Sequence, residues 1–322
     1  MITAFITKIC AFFMALTCTV VPFVNYDVEN KDEILLNAAI ISDIHIDDRL
    51  PLGKIILSMG LLDMKRNSTE NDAVIVSGDL TNYGDRASAE EFYEIMAKVN
   101  PAKEWIIAPG NHDIGHNEEG FTHDEVRQWL IDYNNQYTGA DNDKIYFSKE
   151  VKGYTFIVLC DQSDDNWDSC YIYEDQIAFL DEELAKATVD GKPVFVICHW
   201  PLPYTNGQHA IYENSGLKGQ YAKSLRETLE KYRNVFFISG HMHKGVSGET
   251  FEDIFGFSSV ETLNGVNYIN LPSYGIANRY GIPWNGIGMQ MEVYENEVVF
   301  RPRRYLYSKW YAFIEYRVPV YK

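Results

Sequence analysis

The chain has 322 residues, 46% of them hydrophobic and 23% charged, a composition that excludes a disordered, collagen-like or coiled-coil protein. Its 28 Lys+Arg stand against 46 Asp+Glu, a formal charge of −18 at neutral pH. So acidic a chain repels nucleic-acid backbones, and no cluster of Lys and Arg relieves it, so general nucleic-acid binding is not expected.

At the N-terminus, Lys8 precedes the apolar run 9–21, which closes at Pro22. One positive charge before a short apolar stretch is the pattern of a secretory signal. The run is shorter than the roughly 20 residues of a comfortable bilayer span. No A-x-A site follows it, and Ala15-Leu16-Thr17 before Cys18 makes a poor lipoprotein box. Residues 1–24 are therefore read as either a signal peptide or an uncleaved membrane anchor. In both cases the protein is exported, secreted or held at the outer face of the cell membrane, and meets a membrane only through this segment. Residues 25–33 form a polar linker, and 34–322 a single domain. Cys10 and Cys18 fall in the leading segment. Cys160, Cys170 and Cys198 allow at most one disulfide, and because Cys160 and Cys198 each end a β-like apolar run, buried free thiols are expected.

From residue 34 the chain alternates β-like and helix-like patterns. Strands are expected at 34–42, 73–77, 105–108, 154–159, 194–198, 235–239 and 268–271, each rich in Val, Ile or aromatics. Ser88-Ala-Glu-Glu91 and Thr122-His-Asp-Glu125 have the spacing of capping boxes, and 174–188 and 220–232 carry apolar residues at helical spacing. Strands alternating with helices imply βαβ crossovers and a largely parallel sheet. The tail differs: 289–293 and 298–303 flank Tyr-Glu-Asn-Glu as an antiparallel hairpin, and 313–320 adds a strand, all packed onto the main domain.

Histidine distribution points to function. Of eight, five follow expected strands beside Asp, Asn or Gly: His45, His112, His199, His241 and His243. Open α/β sheets place ligands at strand carboxyl ends. Asp43-Ile-His45 would present a carboxylate and an imidazole on one side by two-residue alternation, a pair suited to Mn, Fe or Zn. Gly78-Asp79 ends the next strand, Gly110-Asn-His-Asp113 the third. There Asn111 offers an amide oxygen to a metal, His112 a proton beside a phosphate, and Asp113 an acceptor that orients His112. His199 and Gly240-His-Met-His243 follow two later strands. Taken singly, each has an ordinary structural reading as a turn, cap or strand-end residue. Five strands ending in metal-ligand chemistry do not share one.

The series DxH, GD, GNHD, H and GHxH resembles the calcineurin-like metallophosphoesterase superfamily, over roughly residues 38–275. The resemblance implies a four-layer α/β/β/α sandwich with two metal ions at the strand ends and the antiparallel hairpin added at the C-terminus. By position, one ion would be held by Asp43, His45, Asp79 and His243, the other by Asp79, Asn111, His199 and His241, with Asp79 bridging. His112 would stabilise developing charge or protonate the leaving oxygen, with Asp113 behind it. Oxygen and nitrogen donors alone permit Mn, Fe or Zn. Gly78-Asp-Leu-Thr-Asn-Tyr-Gly84 is most similar to the bacterial group related to cyclic-nucleotide phosphodiesterases. Purple acid phosphatases carry a metal-binding tyrosine where Asn82 stands, which disfavours iron–tyrosinate chemistry.

The resulting expectation is an exported dinuclear-metal phosphodiesterase for a small phosphorylated substrate: a nucleotide, a cyclic nucleotide or a lipid head group. A phosphomonoesterase or phosphoprotein phosphatase would use the same clamp, and a scaffold that has lost catalysis would keep the fold. The long connection 201–219 beside His199 is the expected specificity loop, with Tyr204 and His209 on it. His116 and His123 read as surface residues. Arg279 reads as either a phosphate ligand or a salt-bridge partner, and Arg301, Arg303 and Arg304 as offsets to local acidity.

Overall fold

The computed structural model describes residues 23–24, 31–66, 70–115, 120–164, 168–208, 216–243, 246, 258–275, 286–311 and 314–322. In chain order the first part forms β1 (Phe23–Val24), β2 (Leu36–Ile41), α1 (Pro51–Arg66), β3 (Ala73–Ser77), α2 (Arg86–Val99), β4 (Glu104–Ala108), α3 (Asn111–Ile114) and α4 (His123–Thr138). The middle adds β5 (Phe147–Val151), β6 (Tyr154–Val158), β7 (Ser169–Cys170), α5 (Glu174–Ala187), β8 (Val194–Ile197), β9 (Gly216–Leu217), α6 (Gly219–Leu229), β10 (Val235–Ser239), β11 (Val260–Leu263) and β12 (Val266–Asn270). The tail contributes β13 (Ile287–Val293), β14 (Glu297–Arg304), β15 (Lys309–Tyr311) and β16 (Tyr316–Pro319).

These strands build two large sheets. One runs β1-β15-β14-β13-β2-β3-β4 with β16 on β14; the other runs β11-β12-β10-β8-β6-β5. Within them β2-β3-β4 and β6-β8-β10-β12 are parallel, as βαβ crossovers require. Alternation then sorts the side chains. Ala38, Ile40 and Ile75 join Phe156, Phe195, Phe236 and Phe300 in a core between the sheets. Ala39, Ile41, Val74 and Val76 face outward to a second core with α1, α2 and α4, while Val194, Val196 and Phe237 meet α5 and α6. The architecture is the expected α/β/β/α sandwich.

Three sequence expectations are revised. The tail hairpin is no appendage: β13 pairs with β2 from Leu36 to Ile40, so the tail supplies interior strands of the first sheet. Its all-buried β13 replaces a further βαβ unit. Second, the helix expected at Ser88 begins earlier. Asp85 is the N-cap, accepting from Ser88 N at 2.8 Å, and an acidic cap outcompetes the serine three residues on. The Thr122–Glu125 capping box forms as expected. Third, α1 was not anticipated. It starts on Pro51, suited to a first helical turn, but Gly53 and Gly60 weaken its helical signal. Gly60 is required by packing, because a Cβ there would overlap the Tyr274 hydroxyl.

Among the arginines of the tail, Arg303 makes a bidentate pair with Asp63 (2.8 and 2.9 Å), and Arg301 pairs with Glu292 (2.9 Å) and Glu315. Both arginines are buried: Arg301 ties β14 to β13, and Arg303 ties β14 to α1. Cys160, Cys170 and Cys198 are buried and free. No described helix is long and apolar enough to cross a membrane. The leading segment 1–22 and most of the linker lie outside the described residues.

Candidate metal centre

The candidate ligands gather where β2, β3, β8 and β10 end, but strand alternation does not bring Asp43 and His45 together. β2 stops at Ile41, and Asp43 (φ 55°) and His45 (φ 53°) both adopt left-handed backbone. Asp79 (φ 52°), His241 (φ 66°) and His243 (φ 51°) do the same. Such conformations are costly for non-glycine residues and persist only where surroundings hold them. Here the holding is visible. Asp43 N donates to Gly78 O (3.0 Å), Ile44 N to Asp79 O (2.8 Å) and Asn82 N to Ile46 O (2.8 Å), so the loops after β2 and β3 are zipped together.

The side chains converge accordingly. One ligand atom from each of Asp43, His45, Asp79 and His243 lies within 4.8 Å of all the others. His243 Nε2 is 2.9 Å from Asp43 Oδ1 and 3.3 Å from His45 Nε2. A second group adjoins it. Asn111 Oδ1 is 3.1 Å from His199 Nε2 and 2.8 Å from His241 Nδ1. Asp79 lies between the groups, with Oδ2 at 3.5 Å from His45 Nε2 and 3.2 Å from His199 Nε2. All seven side chains expected as metal ligands thus meet at one place, divided as the resemblance implies.

Glycines make this density feasible. Gly78 has φ of +87°, and Gly110 lets its backbone approach so closely that a Cβ would stand 2.3 Å from Asp79 Oδ1.

Electrostatically, the cluster is a set of buried carboxylates balanced by imidazoles. Burial opposes ionisation of Asp79, yet the facing His199, His112 and His45 rings outweigh it and hold the carboxyl well below its usual range. Burial disfavours a charged His199, but Asp79 beside it raises the imidazole to about 10. His243 is raised by Asp43 in the same way, against burial. His45 and His241 are pushed well down, chiefly by burial, and keep neutral rings. Neutral imidazoles and ionised carboxylates are the forms that bind metal, and a cation takes the place of the balancing protons.

One atom tests the fit directly. Asp79 Oδ2 is fully buried and meets His45 Nε2 at 3.5 Å and His199 Nε2 at 3.2 Å without a well-formed hydrogen bond. A buried carboxylate oxygen without a hydrogen bond is costly. A cation shared between the two donor groups would satisfy it, so the residues fit a metal pair.

His112 and Asp113 sit on α3 at the edge of this cluster. His112 N donates to Asp79 Oδ1 (2.9 Å), and the ring packs edge-on to His45 with centroids 4.5 Å apart. The expected Asp113–His112 pairing is replaced. His112 Nδ1 lies 2.7 Å from Asn82 O, while Asp113 accepts from Gly110 N (2.7 Å), Leu80 N (3.1 Å), Thr81 N (2.8 Å) and Thr81 Oγ1 (3.0 Å). Because α3 turns its third residue inward, Asp113 braces the loop bearing Asp79, and a backbone carbonyl orients His112. Burial, then the charge of Asp79, pushes the Asp113 carboxyl up to about 6, against those donors.

Sequence reading also missed the carbonyl of Ser77, 2.7 Å from His199 Nδ1, which fixes that ring. Backbone acceptors leave no residue signature. Of the remaining candidates, Tyr204 is largely exposed, and His123 pairs with Asp164 at 3.0 Å on the surface. His116, His209 and Arg279 lie outside the described residues.

The model of the calcineurin-like phosphoesterase family matches residues 36–245, well over half of the chain and every donor named above. The chain belongs to that family. This membership places it among the metal-dependent phosphoesterases. A curated relative, described as a "Probable cyclic nucleotide phosphodiesterase" of Xenorhabdus bovienii, is 28% identical over 181 residues, which is 55% of this chain and 63% of that protein. The match therefore spans less than two thirds of the relative's length. Among solved structures, a dimetal phosphatase from Danio rerio aligns over 89% of this chain and all of its own, with TM-score 0.62 and 13% identity. A purple acid phosphatase from yellow lupin (Lupinus luteus) aligns over 88% of this chain and 53% of its own, with TM-score 0.59 and 13% identity. At such identity these two speak for the shared fold alone.

Proposed function

We propose that the protein hydrolyses a phosphodiester at a two-metal centre, with a small substrate such as a nucleotide, a cyclic nucleotide or a lipid head group, outside the cytoplasm. The observation that carries the two-metal reading is Asp79, whose buried Oδ2 stands between two complete donor groups. Asp43, His45 and His243 would hold one ion and Asn111, His199 and His241 the other, with Asp79 common to both. Once bound, such a pair polarises phosphoryl oxygens and supplies a strong nucleophile at neutral pH. Mn, Fe and Zn all suit these nitrogen and oxygen donors.

The remaining work belongs to the chain itself. His112 is partly buried beside the donors, and its Nδ1 proton is committed to Asn82 O. To protonate the leaving oxygen the ring must carry a second proton on Nε2, which it would give up as an imidazolium and regain from solvent. Asp113 and Ser77 O keep the loop of Asp79 and the ring of His199 in register. The diester preference is supported by the similarity to a relative described as a cyclic nucleotide phosphodiesterase. The purified chain, stripped of metal and then given Mn²⁺, Fe²⁺ or Zn²⁺, should hydrolyse bis-p-nitrophenyl phosphate faster than p-nitrophenyl phosphate. Faster monoester hydrolysis would replace the diester reading by a phosphatase. No turnover of either with any of the metals would remove the catalytic reading of the site.

A further inference from the structure

The loops that carry the donors continue past them and build a wall beside His112. Beyond the ends of β2 and β3 they run side by side: Ile46 N donates to Leu80 O and Asn82 N to Ile46 O (both 2.8 Å), and Ile46 bridges to Thr81. Where this zipper ends, Arg49 meets Tyr83. The guanidinium carbon lies over the phenol ring, 4.7 Å from its centroid.

Two contacts place that pair next to His112. Asn82, just before Tyr83, holds the His112 ring through its carbonyl at 2.7 Å. Gly84, just after Tyr83, lies so close to α3 that a Cβ there would stand 3.0 Å from His112 O. Tyr83 is therefore pinned on both sides to the residue that faces the leaving oxygen. On the other loop, His45, four residues before Arg49, packs its ring against that of His112.

Arg49 is held rigidly. Asp47, whose side chain is only 8% exposed, accepts from Arg49 N (3.0 Å), Nε (2.8 Å) and Nη2 (3.1 Å). The Nε–Nη2 edge, which could grip a phosphate or carboxylate bidentately, is thus already filled by a carboxylate of the chain. Asp48 adds a second acid 4.0 Å from Nε. Local charge therefore disfavours a further anion here. The plane of the guanidinium offers something else. One face lies on Tyr83, yet the Arg49 side chain is still 56% exposed. A guanidinium laid on an aromatic ring and fixed by a carboxylate along one edge presents its second face for stacking, and planar bases stack on such faces. A lipid head group brings no such plane, whereas a nucleotide does.

We propose that the outer face of Arg49, backed by Tyr83, stacks on a planar base of the substrate, which makes that substrate a nucleotide. The assignment of this base to a substrate rests on the phosphodiesterase reading of the metal centre; the stacking itself can be measured without turnover.

The test is isothermal titration calorimetry of the full chain loaded with Mn²⁺, using adenosine 5′-monophosphate and ribose 5-phosphate, which lacks the base. The parent should bind the nucleotide about tenfold more tightly. Arg49→Ala should bring that ratio close to one. Arg49→Lys keeps the charge but loses the plane, so it should do the same. No preference for the nucleotide in the parent would overturn the proposal. A preference retained by Arg49→Lys would replace stacking by charge, and one retained by Arg49→Ala would remove Arg49 from the site. Hydrolysis of bis-p-nitrophenyl phosphate by the parent separates the two readings. A parent that prefers the nucleotide but leaves the diester intact would sink the phosphodiesterase reading alone. One that hydrolyses the diester without preferring the nucleotide would sink the stacking platform alone.

Discussion

The two donor groups share Asp79 and are otherwise built differently. Asp43, His45, Asp79 and His243 all sit in left-handed backbone, with two carboxylates among four ligands. In the other group only Asp79 and His241 are left-handed, Asn111 rises from the first turn of α3, and the sole carboxylate is the shared one. His199 there is locked at both ring nitrogens, by Ser77 O and Asn111 Oδ1. The first group is thus the richer in carboxylates and sits on left-handed backbone held by the zipped loops, while the second adds no carboxylate of its own and is held by side-chain hydrogen bonds. Affinity for a hard cation follows ligand charge, so the first group should keep its ion when the second loses it.

The most severe break is at the residue common to both. Asp79→Ala removes the bridge and leaves His45 and His199 facing one another without a carboxylate. Metal-dependent hydrolysis should fall by about three orders of magnitude or more, with the far-ultraviolet circular dichroism preserved. Activity within a few-fold of the parent would show that Asp79 joins nothing.

Next in size is His112→Gln, which spares both donor groups. A loss of about a hundredfold in kcat, larger for substrates with poor leaving groups, is expected of a missing proton donor. Uniform loss across leaving groups would make His112 a positioning residue acting through its ring contacts with Asn82 O and His45. Asn111→Asp then sharpens the contrast itself by giving the second group a carboxylate of its own. Chelator titration followed by metal analysis should show two steps in the parent, and a second-ion affinity raised about tenfold in the variant. A single step in both proteins would mean that the groups do not differ in the way their charges suggest.

How far the sequence could be read follows the same division. The side-chain motifs were legible because five strands each ended in a Gly, Asp, Asn or His of metal-binding type, and the seven donors do converge. What failed were inferences needing the backbone. Asp43 and His45 were aligned by strand alternation, whereas β2 has already ended and left-handed turns do the aligning. Asp113 was assigned to His112 by adjacency, but its position on α3 turns it towards the loop at Leu80 and Thr81. α1 escaped because its two glycines lower its helical propensity and its outer face is apolar, so the polar–apolar alternation of a surface helix is blurred. The tail hairpin was recognised as a hairpin, but its pairing with β2 is a long-range choice with no local mark.

The last predicted effect lies beyond the donors, at the end of β6, and concerns stability. Asp161 is buried and accepts from Tyr171 N (2.6 Å) and Ser163 Oγ (3.2 Å), with Arg127 at 3.9 Å. Burial pushes its carboxyl up to about 6, against those hydrogen bonds and Arg127. Since the carboxyl of the unfolded chain titrates near its ordinary value of 3.8, the folded state binds the extra proton between these values. Stability should therefore fall as pH rises from about 4 to about 6, by on the order of 2 kcal/mol, and stay level above that as far as this group decides it. Urea unfolding of the parent and of Asp161→Asn across that window reads this contribution: the difference in stability between the two proteins should shift in favour of the variant as pH rises. A difference independent of pH would show that Arg127 and the backbone donors fully offset the burial of the charge. Unlike His199, a member of one group, or Asp113, which braces the loop of Asp79, Asp161 contacts neither donor group, so this slope should be the same with and without added metal, and a metal-dependent slope would tie β6 to the centre after all.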